Sequence, residues 1–477
     1  MKSPFYYFDC GIVSALCFVL AVISSTSEMK AQDAIASNRD MWLGINHGDV
    51  DQPILLSDLQ KIGLHMVREG FNGKPDRKLE AKVSAYVDAG IEPHVSINMR
   101  GSGINVTDYP AWLQNYKQRC IEIMTAYKGK LHYYIVGNET DKADPFTGRL
   151  TPEQAVDFTR MAYEASRQVD PTGGIKIESA PISSPRPIKD YLKKMFAAGL
   201  NDHCDYIGVH VYSNQINDGK LDYPWILEQQ QGGTQKPIAI SEIGVSMDWA
   251  PKTFSPEQKE QWKSDFLDQA YVQLKRYGIA NAILFESSSS SKWPDTFAIL
   301  RDGTTARNIL PTTYKEVQNH FKPRPLQNVG FENTNDPKRL WVVYDDPADD
   351  KWDTSAFDFQ AAGGHSGKSA LQIDTSGKGP RIVRQVVSGI TPGKAITITA
   401  WAFSNNKAGA TLKAEGYNAI AGNAETSAVT KGYGAWEELS VTVTPTNPWV
   451  VIELSSTTKN IVGSYVKFDD VTISSIK

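Results

Sequence analysis

The chain has 477 residues, a hydrophobic content of 41%, a charged content of 22% and a formal net charge of −4. This is more chain than one hydrophobic core usually holds, and its charge lacks the basic excess that nucleic-acid partners require. The expectation is therefore a folded protein of two domains with no nucleic-acid partner.

The first 31 residues differ in composition from the rest. Lys2 precedes an apolar run over residues 11–22, which leads into a segment rich in serine and threonine. This pattern is typical of a signal peptide, so residues 1–31 are predicted to be removed and the protein to be secreted, outside the cell or into a periplasm. An uncleaved membrane anchor is the alternative, because the length of the run is borderline. No other segment predicts stable membrane insertion.

Residues 38–322 alternate short apolar runs with amphipathic segments, which predicts βα units that build a parallel sheet. The eight predicted strands are residues 42–46, 65–69, 91–98, 132–138, 175–180, 206–212, 238–242 and 280–286. Helical patterns separate them, and residues 312–321 supply the eighth helix. The expected fold is a (β/α)8 TIM barrel, in which the C-terminal strand ends form the active site.

The pattern changes after the Pro-Arg-Pro sequence at residues 323–325. Alternating apolar and polar residues, as at 395–401 and 439–443, predict antiparallel strands without helices. Residues 326–477 are therefore predicted to form an all-β, jelly-roll-like sandwich that folds separately on its own core.

Two glutamates lie at predicted C-terminal strand ends. Glu139 follows the fourth strand in an Asn-Glu sequence, and Glu242 ends the seventh in Ser-Glu-Ile-Gly. Because about three βα units of roughly 30 residues separate them, both side chains should enter one cleft. Cleavage of a glycosidic bond needs one carboxylic acid and one carboxylate, which this pair supplies. Either glutamate alone could be a structural ion-pair acid, but the pair favours catalysis.

The two glutamate motifs resemble the acid/base and nucleophile motifs of glycoside hydrolase clan A, and the resemblance covers the whole predicted barrel. It implies a retaining mechanism with Glu139 as acid/base and Glu242 as nucleophile, and no catalytic cofactor. Such a mechanism predicts carboxyl groups about 5 to 5.5 Å apart and a raised pKa for Glu139.

The same resemblance assigns roles to residues around the glutamates. Asn138 would bind a sugar hydroxyl beside the nucleophile, and Arg68 at the end of the second strand would support the nucleophile. His210 and Tyr212 match the clan's His-x-Tyr pair on the sixth strand, with Tyr212 placed to bond the nucleophile.

Other residues at predicted strand ends are candidates for sugar binding. Where the clan commonly has a tryptophan, strand eight has Phe285, so Phe285 or Trp293 is expected to replace it. Glu286 could contact a charged sugar or form a structural pair. The remaining candidates are Asn46, His94 and Asn98.

The predicted sandwich resembles carbohydrate-binding modules of families 4, 9 and 22 near both of its ends. By this resemblance Glu332 and Asp470 would help to hold a structural calcium ion, for which carboxylate oxygens are suitable ligands. Sugar-stacking candidates are the tryptophans of this region: Trp341, Trp352, Trp401, Trp436 and Trp449.

Together these features predict a monomeric, secreted hydrolase that cleaves β-linked polysaccharide, with endo action favoured by the attached module. Two alternatives stay open: a non-catalytic polysaccharide-binding protein on a decayed barrel, and a transglycosylase that uses the same residues. Strand motifs do not encode the sugar or its linkage.

Overall fold

The computed structural model describes most of the chain beyond the predicted signal peptide. The described residues are 42–46, 66–71, 77–98, 108–142, 149–183, 189–212, 226, 229–230, 234–279, 281–285, 325–338, 340–344, 354–377, 379–406, 408–418, 422–457 and 461–475. The predicted signal peptide and the predicted helix at 312–321 lie outside them. Within these ranges, no helix combines the length and apolar character needed to cross a membrane.

The first half of the described chain forms an eight-stranded parallel sheet. Its strands are β1 (Trp42–Asn46), β2 (Met66–Phe71), β3 (Glu92–Ile97), β4 (Tyr133–Val136), β5 (Lys176–Glu178), β6 (Ile207–Tyr212), β7 (Ile238–Gly244) and β8 (Asn281–Leu284). Their order is β5-β4-β3-β2-β1-β8-β7-β6, and parallel bridges also join Glu178 to Tyr206 and Ile182 to Val209. All eight strands lie within or close to the predicted segments.

Helices connect these strands and carry the sequence signals that start them. Their bounds are α1 (Arg77–Asp88), α2 (Tyr109–Ala126), α3 (Pro152–Val169), α4 (Lys189–Ala197) and α5 (Pro256–Arg276). Thr151 caps α3 and Ser255 caps α5, each in a capping box with a glutamine and with proline at the first helical position.

The second half is built from antiparallel strands. They are β9 (Val342–Tyr344), β10 (Phe357–Ala362), β11 (Ser369–Asp374), β12 (Ile382–Ser388), β13 (Ile396–Ser404), β14 (Ala410–Asn418), β15 (Gly422–Val429), β16 (Trp436–Val443), β17 (Trp449–Ser456) and β18 (Tyr465–Ser475). One sheet has the order β10-β11-β18-β13-β16 and the other β15-β14-β17-β12-β9. Side chains of both sheets form one buried cluster between them. The predicted combination of a parallel α/β region with an all-β region is confirmed.

The two regions also share a hydrophobic cluster. Val342, Tyr344, Trp449 and Val451 of the β-sandwich belong to the same buried cluster as the apolar side chains of the parallel-sheet region. The β-sandwich thus has a core cluster of its own and also adds side chains to the cluster of the parallel-sheet region, while separate folding of residues 326–477 stays a prediction. The sequence pattern could not show this, because outward-facing apolar residues on one sheet look like core residues.

Polar contacts accompany this shared cluster along α5. The Trp449 indole N–H donates to the carbonyl of Lys275 at 3.0 Å, and the Tyr344 hydroxyl donates to that of Gln269 at 3.1 Å. Arg276 donates to the buried carboxylate of Glu415 at 2.6 Å. Helix α5, which follows the strand of Glu242, is thus held against the β-sandwich.

Candidate active site

Glu139 lies just beyond the C-terminal end of β4 in an unusual backbone conformation. Its φ is 35°, and Gly137 two residues earlier has a φ of 63°. A left-handed φ is uncommon for a residue with a side chain, and such strain is concentrated at functional sites. Gly137 permits the turn, and its N–H donates to the Ile97 carbonyl at 3.1 Å. The chain therefore turns sharply after β4 and presents Glu139 at the strand ends.

Glu242 lies within β7 at an irregularity of the sheet. The pairing of β6 with β7 shifts register between Val209 and His210, so that His210 lies opposite Glu242. The pairing of β7 with β8 also shifts, between Ile240 and Ile243. A bulge re-aims the side chains of its strand. This irregularity accompanies the placement of both Glu242 and His210 at the site.

Arg68 is the main cationic partner of Glu242. Its Nη1 donates to Glu242 Oε1 in an ion pair whose side chains are 6% and 10% exposed. The guanidinium is oriented by three further acceptors: Ser96 Oγ at 3.1 Å, the Ser241 carbonyl at 3.3 Å and Asn138 Oδ1 at 2.8 Å. A planar guanidinium held at this many points fixes the carboxylate it binds.

Two side chains of β6 complete the contacts of Glu242. The Tyr212 hydroxyl donates to Glu242 Oε2, and the charge of Glu242 together with burial raises the pKa of Tyr212 well above its ordinary value. His210 Nδ1 lies 3.3 Å from Glu242 Oε2 and 3.2 Å from Glu139 Oε1. One fully buried imidazole thus contacts both glutamates.

The two carboxyl groups lie close together. Glu139, His210 and Glu242 each place one polar atom within 4.8 Å of the other two. Two facing carboxyl groups with oxygens this close are compatible with the separation of about 5 to 5.5 Å that the sequence predicts for a retaining pair. Three such groups could also approach a metal ion, but Arg68 and Tyr212 already donate to the two oxygens of Glu242.

The pKa of Glu139 departs from the sequence-based expectation. Burial raises it, but the hydrogen bond and charge of His210, together with Lys142, outweigh burial and lower it from 4.5 to about 2. The expectation of a raised pKa is therefore wrong for Glu139 when His210 and Lys142 lie beside it. The expectation considered the charge of Glu242 alone and omitted the contacts of Glu139 with His210 and Lys142.

The other predicted sugar-binding residues differ in their exposure to solvent. His94 is 1% exposed and stacks on Tyr133 with 3.7 Å between ring centroids, so it has almost no surface to offer a sugar. Asn98 is also buried at the end of β3. The ring of Phe285 lies edge-on to Tyr212 at 5.6 Å and is partly exposed, which places it beside the partner of Glu242.

Three predicted residues cannot be placed in the site. Asn46 ends β1 opposite Arg68, but its side chain lies outside the described part of the chain. Glu286 and Trp293 also lie outside the described residues.

Three polar residues of the site were not predicted. Lys142 donates to Glu139 Oε2 at 3.2 Å, and the buried carboxylate of Asp141 accepts from Ser183. Glu178 is buried in β5, accepts from the Tyr133 hydroxyl at 3.1 Å and has its pKa raised by burial. The sequence signal for Lys142 was its position three residues after Glu139. The two buried acids carry no such signal.

The acids predicted to hold calcium bind a loop of the β-sandwich. Glu332 Oε1 accepts from the Ser369 N–H at 2.8 Å, while Asp470 accepts from Ser366 Oγ at 2.5 Å and contacts His365 Nδ1 at 2.8 Å. Within the described ranges, these residues are not part of a cluster of three ligating side chains. The observed contacts clamp residues 365–369, and calcium binding by Glu332 and Asp470 stays a prediction.

The candidate tryptophans of the β-sandwich differ in burial. Trp341 is fully buried, Trp449 is buried over Lys275, and Trp352 lies outside the described residues. Trp401 and Trp436 are partly exposed on the sheet face that points away from the core.

These two tryptophans belong to a larger group of rings. His365 stacks on Trp401 at 3.8 Å, and Phe403 lies between Trp436 at 5.7 Å and Tyr465 at 6.2 Å. We refer to Trp401, Trp436, Phe403, Tyr465 and His365 as the aromatic face. Outward positions of a sheet exposed to water are usually polar, so a group of rings there needs an explanation.

Comparison with known proteins gives weak likenesses. No protein-family model matches the chain. It is similar to the crystal structure of a glucosidase from Croceicoccus marinus, with a TM-score of 0.47, 11% identity, and coverage of 88% of this chain and 96% of that one. A β-glucosidase from Thermotoga maritima gives a TM-score of 0.40 at 13% identity, covering 56% of this chain and 85% of that one.

A carbohydrate-binding module gives a further likeness over part of the chain. TmCBM61, solved in complex with β-1,4-galactotriose, gives a TM-score of 0.25 at 16% identity and covers 32% of this chain and 100% of that one. The proteins that the chain resembles are thus glycoside hydrolases and a carbohydrate-binding module. TM-scores below 0.5 are too low to transfer an activity, so the functional argument rests on the site.

Proposed function

We propose that the protein is a secreted retaining glycoside hydrolase of the clan A type that cleaves β-linked glycans. The single observation that carries this proposal is the approach of one Glu139 oxygen and one Glu242 oxygen within 4.8 Å, although their strands β4 and β7 are not neighbours in the sheet. At this spacing Glu242 can attack the anomeric carbon while Glu139 serves the leaving oxygen, without room for an intervening water. The eight parallel strands and the bridges between β5 and β6 support closure of the sheet into a (β/α)8 barrel.

The contacts of Glu242 support its role as the nucleophile. Arg68 and Tyr212 bind its two oxygens, and a buried, cation-paired carboxylate stays ionised and oriented for attack. In the second step Glu139 would accept a proton from water that attacks the glycosyl-enzyme. The Glu139 contacts with His210 and Lys142 favour that base form.

The aromatic face supports a carbohydrate-binding role for the β-sandwich. Partly exposed rings such as Trp401 and Trp436 offer apolar surfaces on which sugar rings can stack. A polymer held there would remain near the catalytic glutamates, which favours endo action on polysaccharide.

The test of the proposed function is covalent trapping. The purified protein is screened on a panel of β-linked polysaccharides, and aryl 2-deoxy-2-fluoro glycosides of the sugars released are then used as traps. The expected result is a mass increase of one glycosyl unit on a peptide that contains Glu242. A chain that cleaves glycans without forming this adduct, or that forms it on another residue, contradicts the assignment.

A further inference from the structure

Lys142 is a charged residue beside Glu139 to which the proposed reaction assigns no contact with the substrate. Its Nζ donates to Glu139 Oε2 at 3.2 Å, and its side chain is 55% exposed. An ion pair this exposed contributes only about 0 to 1 kcal/mol to stability. Folding alone therefore gives little reason for a cation at this position.

The backbone that presents Lys142 is fixed at several points. The Lys142 N–H donates to the Glu139 carbonyl at 2.9 Å, which closes a turn that begins at the left-handed Glu139. The Asp141 carboxylate accepts from the N–H of Ser183 at 2.8 Å and from its hydroxyl at 2.5 Å. The Leu150 N–H donates to the Thr140 carbonyl at 2.8 Å. A turn fixed by these hydrogen bonds thus places Lys142 beside Glu139.

The Lys142 contact opposes the first step of the proposed reaction, in which Glu139 must donate a proton. Glu139 must carry a proton when the glycosidic bond breaks, yet with His210 and Lys142 beside it, its pKa lies near 2. His210 is fully buried between the two glutamates, so a substrate cannot draw it away. Lys142 is exposed and can change its partner.

We propose, resting on the glycosidase function above, that Lys142 determines specificity by binding a carboxylate of an acidic sugar in the substrate. Glu139 adjoins the glycosidic oxygen, so the sugars on both sides of the bond lie within reach of a lysine that contacts it. When Lys142 turns to the sugar carboxylate, Glu139 Oε2 loses its cation and takes a proton from solvent. The substrate class is a β-linked glycan that contains uronic acid.

The proton balance closes over one turnover. Glu139 passes its proton to the leaving oxygen as the bond from that oxygen to the anomeric carbon breaks and the bond to Glu242 forms. In the second step water attacks the anomeric carbon, gives its proton to Glu139 and releases Glu242. The charged or titratable groups around Glu139 in this scheme are His210 and Tyr212 from β6, Glu242 from β7 and Lys142 from its own turn.

The first test measures the protonation of Glu139 directly and needs no activity. The δ-carboxyl resonance of Glu139 is titrated by NMR in the wild type, Lys142→Met and Lys142→Arg, each with intact fold checked by amide spectra. The expected result is a titration midpoint that rises by more than about one pH unit in Lys142→Met and is retained in Lys142→Arg. An unchanged midpoint in Lys142→Met overturns the proposal.

The second test compares substrates that differ only in the carboxylate. Uronic-acid-bearing β-glycans and their carboxyl-reduced forms are compared by kcat/KM, with Lys130→Met as control, because Lys130 precedes β4 and pairs with Glu80. The wild type and the control should prefer the acidic form by about tenfold or more, as a charged hydrogen bond allows. Lys142→Met should lose this preference. Equal cleavage of both forms by the wild type, or selection of a sulfated glycan instead, overturns the proposal.

A binding experiment shows whether a negative result contradicts this inference or the proposed glycosidase function. Acidic oligosaccharides and their carboxyl-reduced forms are titrated by calorimetry into Glu242→Gln and into the Glu242→Gln, Lys142→Met double variant. If the wild type cleaves no glycan but Lys142 still selects the acidic form, the glycosidase function fails and the inference on binding stands. If cleavage occurs without selection in either assay, only the inference fails.

Discussion

The two regions of the molecule use buried charge in different ways. In the β-sandwich, Arg384 directs both Nε and Nη2 to one oxygen of Glu453, at 2.8 and 2.7 Å, and the guanidinium is fully buried. In the parallel-sheet region, Arg68 divides its donors among Glu242, Asn138, Ser96 and the Ser241 carbonyl. The Arg384 guanidinium also lies over the Tyr344 ring, and Ser455 Oγ donates to Glu453 Oε1 at 3.4 Å, so all these partners belong to the β-sandwich. Arg68 orients a carboxylate that a further residue, Tyr212, also contacts.

The difference shows how a structural ion pair can be distinguished from a catalytic one. Glu139 and Glu242 both contact the His210 imidazole and face each other across a short gap. Arg384 instead directs both Nε and Nη2 to the single carboxylate of Glu453. Burial alone does not separate the two kinds, because both are largely withdrawn from solvent.

The largest effect is expected at Glu242. Glu242→Gln keeps the size of the side chain and one of its two acceptor oxygens but cannot attack the anomeric carbon, so kcat should fall on the order of 10⁴-fold or more. Glu453→Gln in the β-sandwich is the matched control and should retain activity per folded molecule. Activity of Glu242→Gln above a few per cent of wild type would exclude Glu242 as the nucleophile.

Glu139→Ala should have the next largest effect, a loss of about 10²- to 10⁴-fold for substrates with poor leaving groups. Substrates with good leaving groups should be affected least in the first step. Azide should then restore turnover by replacing the base, and the glycosyl azide should keep the anomeric configuration of the substrate. Absence of this product, or the opposite anomer, contradicts the acid/base role.

Substitution of the two buried arginines tests whether Arg68 and Arg384 have different roles in the two regions. Arg68→Leu and Arg384→Leu each leave a buried carboxylate without its cation and should lower the free energy of unfolding by about 3 to 5 kcal/mol, measured by denaturant titration. Below the unfolding transition, only Arg68→Leu should lose activity per folded molecule. Equal losses of activity would mean that both arginines act through stability alone.

A smaller effect is expected on the aromatic face. Trp401→Ala and Trp436→Ala should each weaken polysaccharide binding by about two- to tenfold while leaving cleavage of short soluble substrates unchanged. Tyr433→Ala is the control, since Tyr433 is 63% exposed but shares no ring contact with the aromatic face among the described residues. Unchanged affinity for polymer in both tryptophan variants would remove the binding role.

The smallest effect is a change of stability at low pH. The folded pKa of Glu139, about 2, lies below its ordinary value of 4.5, so ionised Glu139 contributes stability that is present above about pH 4.5 and lost as the pH falls towards 2. The melting temperature of the wild type should therefore fall more steeply over this interval than that of Glu139→Gln. Parallel curves would show that His210 and Lys142 do not stabilise the ionised carboxyl.

Most of the strand positions could be predicted because buried parallel strands are short continuous apolar runs. The glutamates followed from the same pattern, since a carboxylate directly after such a run lies at the catalytic edge of the sheet. The clamp of Asp141 on Ser183 could not be predicted, because its partners are 42 residues apart and carry no motif. The sheet irregularity at Glu242 depends on pairing with two neighbouring strands, which one strand's sequence does not contain.

The pKa of Glu139 and the contact between the regions were missed for a shared physical reason. Each depends on which side chains meet in space: His210 and Lys142 at Glu139, and α5 against Tyr344 and Trp449. Sequence periodicity identifies a buried face but not the surface that covers it. Contacts between segments that are distant in sequence could therefore be identified only from the structure.

The central claim is that Glu139 and Glu242 cleave a glycosidic bond by two displacements at one carbon. The most direct measurement is proton NMR of the first sugar released from an active substrate, read before the anomers interconvert. The account predicts that this product has the same anomeric configuration as the bond that was cleaved. Initial release of the opposite anomer would contradict it, because a single displacement by water would then have replaced the attack by Glu242.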